Sequence, residues 1–169
     1  MHLSKETTTI YLRNFLFGVE DSLISTTGLL SGIAVAGIAQ KEIFVTGMVL
    51  IFVEAFSMGI GSFLTEESTQ EYIKHAKAQG RSITAGFIMF LSYFCSGLIP
   101  LLPYAVFDIS FAFGSSVFLS LFALFILGVV GAKAFKSNII KSGIRMLAIG
   151  GVAVIGGVLI GIIIEGRSK

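Results

Sequence analysis

Phe17-Gly18-Val19-Glu20-Asp21-Ser22-Leu23-Ile24-Ser25-Thr26-Thr27-Gly28 sets two adjacent acids at the head of 19 uncharged residues, Ser22 to Gln40. That run is most of the roughly 20 residues a helix needs to cross a bilayer. A charge inside hydrocarbon costs about 3 kcal/mol on insertion scales, so acids in such a place are normally buried against a partner. A transported cation is one such partner.

Outward from this stretch the same theme recurs. Lys41 and Glu42 make a polar turn, and the next apolar run is interrupted by a single charge, Glu54, with eleven uncharged residues on either side. The segment Thr65 to Arg81 is the most polar of the chain. Within it Glu67 and Glu71, and Glu71 and His75, are four apart, so the second helix is expected to continue straight out of the bilayer. Ser82 to Phe107 is uncharged for 26 residues and contains Pro100 and Pro103, which should end or bend a helix near Ile99. Asp108 marks a short turn. Lys133 to Arg145 carries four basic residues and no acid, and a last apolar run follows.

The composition agrees with this pattern. Of 169 residues 54% are hydrophobic and 13% charged, against ~25% charged in soluble domains, and the mean hydropathy is +0.92. A soluble domain of this size has too little interior to hide several such runs. The predicted fold is an all-α polytopic membrane protein forming one transporter domain. Its five spans lie at about 13–39, 43–64, 82–103, 109–132 and 146–164. A net charge of +2 without basic runs interleaved with aromatics argues against nucleic acid. Cys95 stands alone, which excludes a disulfide framework or a cysteine metal cluster. The first twelve residues read as a short cytoplasmic tail or an amphipathic entry segment, not a cleaved signal.

Basic residues orient the spans. With the N-terminus in the cytoplasm, Lys5, Arg13, Lys74, Lys77, Arg81, Lys133, Lys136, Lys141 and Arg145 lie inside and only Lys41, Arg167 and Lys169 outside. This bias predicts N-in and C-out. In the last helix Ile149-Gly150-Gly151, Ile155-Gly156-Gly157 and Gly161 are expected to form one flat face for close helix packing. A dinucleotide loop would need a preceding strand, which is absent.

Glu54 has ~16 Å of helix on each side and nothing basic within reach along it. Its partner must be a proton, a cation or another helix. Met58 is one turn further on the same face. Carboxylate oxygen beside thioether sulfur suits a softer divalent ion such as Fe²⁺ better than an alkaline-earth ion, although methionine also fills gaps between helices. Asp21 lies near the cytoplasmic boundary with Ser25 one turn inward, the mouth of a polar path toward Glu54. Glu20, about 100° around the helix, is expected to pair with Arg13 or Lys136. Glu66, Glu67 and Glu71 are either a weak cytoplasmic collecting site for cations or a solvated helix face. His75 lacks partners for a metal role.

Three separated motifs also carry a resemblance. The Phe17 to Leu29 stretch, Glu54-Ala55-Phe56-Ser57-Met58-Gly59-Ile60-Gly61-Ser62-Phe63-Leu64, and Gly97-Leu98-Ile99-Pro100-Leu101-Leu102-Pro103-Tyr104 resemble, in order, the first, second and third helix signatures of the vacuolar iron transporter family. Lys133 to Gly150 is similar to the run leading into its last helix. The resemblance implies a homodimer with five helices per subunit and a path at the subunit interface. It implies export of Fe²⁺, with Mn²⁺ or other divalent ions such as Co²⁺, from the cytosol in exchange for protons. It carries the metal path over to Asp21, Glu54 and Met58. Gly61-Ser62 departs from the Gly-Glu or Gly-Asp often found there. The long glutamate-rich insert of eukaryotic members is reduced here to about Thr65 to Arg81, which favours a prokaryotic plasma membrane over a vacuolar one. Independently, five short helices hardly enclose a polar path, whereas a two-fold pair doubles each acid.

Two other functions fit the acids: a proton-coupled antiporter of organic cations, which leaves Met58 idle, and a non-transporting membrane scaffold. No nucleophile–base pair or haem-ligand pair suggests an enzyme, and no cofactor is expected.

Overall fold

The computed structural model describes residues 5–74 and 79–167. His75, Lys77 and Lys169, which entered the reading above, lie outside the described residues.

Five helices follow one another: α1 (Lys5–Val35), α2 (Gln40–Lys74), α3 (Gln79–Val106), α4 (Ile109–Ala134) and α5 (Ile139–Arg167). The shortest, α4, has 26 residues, and its length of about 39 Å exceeds a hydrocarbon core of ~30 Å. Four of them, α2 to α5, are long and apolar enough to cross a membrane. In α1 the polar turns before Arg13 and the Glu20-Asp21 pair dilute the apolar content. Their outer surfaces are oily. Val49, Phe52, Val53 and Phe56 of α2, Phe118 and Phe122 of α4, and Val152 and Ile160 of α5 are all exposed, as a lipid-facing belt requires.

The helix ends show how the chain turns. α1 stops at Val35 instead of continuing to Ala39, because Gly37 takes a left-handed φ of 73°. The Ile38 N–H then bonds back to the Ile33 carbonyl at 3.2 Å, a glycine-terminated cap. Lys41 and Glu42 accordingly belong to the first turn of α2. α2 does extend past its apolar part, to Lys74. α4 ends in the same manner as α1, with Lys136 at φ 53° and the Ser137 N–H bonded to the Ala132 carbonyl at 2.8 Å.

The prolines do not end α3, which runs through both to Val106. Each ring removes the N–H that would have bonded the carbonyl four residues back, at Ser96 and at Ile99, yet the helix continues past both. Ser116 Oγ donates to the Pro100 carbonyl at 2.7 Å, and the Phe107 N–H resumes the ladder at the Pro103 carbonyl, 2.9 Å away. Gln40 Nε2 closes the end by donating to the Tyr104 and Phe107 carbonyls, 2.8 Å each.

α1 is the hub, packed against each of the other four, while α2, α3, α4 and α5 pack successively around it. Glycines set the closest approach. A methyl on Gly157 or Gly161 of α5 would run into the carbonyl oxygens of Gly28 and Gly32 of α1. This pairing in rising order makes α1 and α5 parallel. The expected single glycine face is therefore divided: Gly150 packs on Leu121 and Leu124 of α4, whereas Gly151 and Gly156 meet nothing within 4 Å. Adjacent residues point about 100° apart on a helix, so each Gly-Gly pair serves two directions. An apolar cluster of Leu30, Ile43, Ile51, Leu101, Tyr104 and Ala112 fills the end near the α1–α2 and α3–α4 turns.

Candidate functional site

Where α1, α2 and α3 meet, the interior turns polar. Ser22 and Ser25 of α1 both engage Tyr93, a fully buried residue of α3. Ser22 Oγ donates to the Tyr93 carbonyl at 2.7 Å, and Ser25 Oγ lies 2.8 Å from the Tyr93 phenolic oxygen. Gly18 and Gly97 allow this close approach, since a Cβ on Gly18 would collide with Ser92 Oγ and one on Gly97 would sit 2.7 Å from Ser22 Oγ.

Asp21 and Glu54 are each partly buried. Their carboxylates act on one another electrostatically, and both act on the Tyr93 hydroxyl. Two acids separated by 33 positions in the chain thus share one locale, between α1 and α2, beside a phenol and a serine. The site offers hard oxygen donors, and Met58 adds a thioether one turn along α2.

Met58, Ser62 and Glu66 recur every four residues along one side of α2, and Glu54 stands one turn before Met58. From Met58 to Glu66 this side borders a groove of about 520 Å³, closed by Arg13, Asn14 and Phe17 of α1 and Met89 of α3. The groove leads from the end of α2 that projects beyond its apolar part toward the acids, about 18 Å from Glu66 to Glu54.

The three glutamates at that end are not gathered into one site. Glu66 is buried and already compensated: Gln70 Nε2 donates to its carboxylate at 2.5 Å, and Arg81 Nε of α3 stands 3.0 Å away. Arg81 also reaches Glu6 of α1, 3.1 Å from Nη2 to Oε1, tying three helices at this end. Glu67 is partly buried and Glu71 exposed. Among the described residues no group of three or more His, Cys, Asp or Glu side chains is assembled to hold a metal within one subunit. Glu20 answers to Arg145 of α5 and lines a second groove together with Arg13.

Tyr93, Asn14, Met89 and the groove-facing position of Arg13 escaped the sequence reading. Ser62 was within reach of it, since counting four from Met58 lands there and four more lands on Glu66. Tyr93 had no such signal, being one of several aromatics in an uncharged run.

Comparison with known proteins gives three matches. The VIT family model matches residues 12–84 and 74–162. An uncharacterized protein of Methanocaldococcus jannaschii is 28% identical over 156 residues, covering 80% of this chain and 81% of that one. Vacuolar iron transporter homolog 3 of Arabidopsis thaliana is 28% identical over 155 residues, covering 85% of this chain and 78% of that one.

Proposed function

The chain belongs to the VIT family, and from that premise we propose that it exports divalent transition-metal ions, Fe²⁺ foremost, from the cytosol in exchange for protons. The likeness to a plant protein named for vacuolar iron transport supports iron, and Mn²⁺ and Co²⁺ share the donor preferences. Family membership also supports reading the chain as a transporter and not an enzyme. The observation that carries the proposal is that Asp21 and Glu54, from different helices, are near enough to act on one another electrostatically, with the Met58 groove opening one turn along α2 from Glu54.

In this mechanism Glu67 and Glu71 draw cations to the projecting end of α2, and Glu66 takes part when Arg81 releases it. The ion passes along the groove, sheds water, and is held by the Asp21 and Glu54 carboxylates and the Met58 sulfur. Protons arriving from the far side neutralise Glu54 and release the ion outward. Tyr93 and Ser25 orient the acids and relay hydrogen bonds between α1 and α3.

A homodimer supports this chemistry, because among the described residues α2 and α5 both pack on α1 without packing extensively on each other. A second copy there brings two sets of donors together about a two-fold axis. Five spans with the N-terminus inside accord with the concentration of Lys and Arg at the end shared by Glu6 and Arg81. The membrane is multi-pass in this reading, and a prokaryotic plasma membrane accords with the short α2–α3 segment.

The test is uptake of Fe²⁺, Mn²⁺ and Co²⁺ into proteoliposomes, with and without an imposed pH gradient, alongside an organic cation. Metal flux is expected to need the gradient and to collapse in Glu54→Gln. Undiminished proton-coupled metal flux in that variant removes Glu54 from the mechanism. Flux of the organic cation alone transfers the site to a different substrate class.

A further inference from the structure

A second groove, of about 430 Å³, opens between α1, α4 and α5 at the end where Arg13 and the α4–α5 connection meet. It is amphipathic along its length. Leu16, Phe17, Leu127 and Met146 form apolar walls, and Arg13, Arg145, Ser137 and Ser142 carry the polar groups. Neither arginine makes an ion pair of 4.0 Å or less among the described residues, and both side chains are exposed. Glu20 is the acid in the lining and acts on Arg145. Two arginines against one glutamate leave the groove with one net positive charge. Lys133, Lys136 and Lys141, on the same stretch of chain as Ser137, Ser142 and Arg145 of the lining, are exposed, and no acid lies from 133 to 145.

From this juxtaposition we propose that the groove is a binding site for the headgroup of an anionic phospholipid, its phosphate between Arg13 and Arg145 and an acyl chain along the apolar wall. The charge left over matches a phosphodiester with one net negative charge. A zwitterionic headgroup brings an ammonium into a basic site and is disfavoured. Ser137 and Ser142 are hydroxyl donors for phosphate oxygens. Basic pockets between helices on the cytoplasmic side are suited to such lipids, each Lys or Arg near the surface contributing on the order of 1 kcal/mol. Inorganic phosphate shares the charge but not the chain, so the apolar wall separates the two ligands. The proposal concerns binding and stands whether or not the chain moves metal.

The experiment uses the full chain purified in detergent, with lipid binding counted by native mass spectrometry and thermal unfolding followed in parallel. The probes are phosphatidylglycerol, phosphatidylcholine and inorganic phosphate at matched concentration. Phosphatidylglycerol at about 100-fold over its dissociation constant is expected to raise Tm by at least ~5 °C, and phosphatidylcholine and phosphate to leave it nearly unchanged. Arg145→Gln should weaken phosphatidylglycerol binding about five-fold, Arg145→Lys should restore part of it, and Lys41→Gln at the opposite end should leave it intact. Equal binding of the two lipids, an equal shift by phosphate alone, or full retention in Arg145→Gln would each overturn the proposal.

Discussion

The Ser25 hydroxyl and the Tyr93 phenol lie 2.8 Å apart and join α1 to α3, within electrostatic range of Asp21 and Glu54. The bond spans 68 positions in the sequence. It places a proton-carrying group in a buried interior within electrostatic range of two carboxylates.

Tyr93→Phe keeps the ring and deletes the hydroxyl. Losing one buried hydrogen bond is expected to cost about 1 kcal/mol of stability, seen as a small drop in the unfolding midpoint. Metal flux in vesicles should fall by more than that loss accounts for. If flux is unchanged while stability drops, Tyr93 is a structural strut only.

Met58→Leu conserves volume and apolarity and removes the soft donor. Transport of Fe²⁺ and Co²⁺ should decline more than transport of Mn²⁺, the harder ion. A uniform decline across the three would mean that the sulfur fills space and makes no contact with the ion.

Arg81→Met leaves the Glu66 carboxylate buried with Gln70 as its remaining partner. Removing one member of a buried pair typically costs about 3 kcal/mol. The Glu66→Gln/Arg81→Met double variant should recover part of that loss, and a double-mutant cycle on unfolding free energy measures it. Glu6→Gln should do little, because the Glu6 side chain is 59% exposed and surface pairs contribute little.

Gly157→Ala forces a methyl into the Gly28 carbonyl. Backbone cannot yield as a side chain does, so a loss of about 1–3 kcal/mol is expected, as for overpacked cores. Gly156→Ala, one residue away, meets nothing within 4 Å and should be neutral or slightly stabilising. Melting curves of the two variants decide the matter. Equal behaviour would contradict the α1–α5 crossing.

How far the chain could be read in advance varied from residue to residue. The uncharged runs announced an all-α bundle of long apolar helices, and the four-residue spacing from Glu67 to Glu71 agrees with α2 continuing past its apolar part to Lys74. The end of α1 was missed at Gly37, although a glycine following an apolar run is a known stop signal. Pro100 and Pro103 do not end α3, which runs through both to Val106, because the packing of α3 against α1, α2 and α4 holds the helix where local propensity disfavours it.

Hydropathy, the isolation of Glu54 in its span and the four-residue spacing of Glu54 and Met58 are properties of the chain taken locally, and a helix turns them into a face without outside help. Which helix that face meets is a different matter. The approach of Asp21 to Glu54, the Ser25–Tyr93 bond and the diversion of Glu66 to Arg81 depend on the rotation and closeness of helices far apart in sequence. Those are set by where glycine carbonyls touch and where side chains interlock, and no local period encodes them.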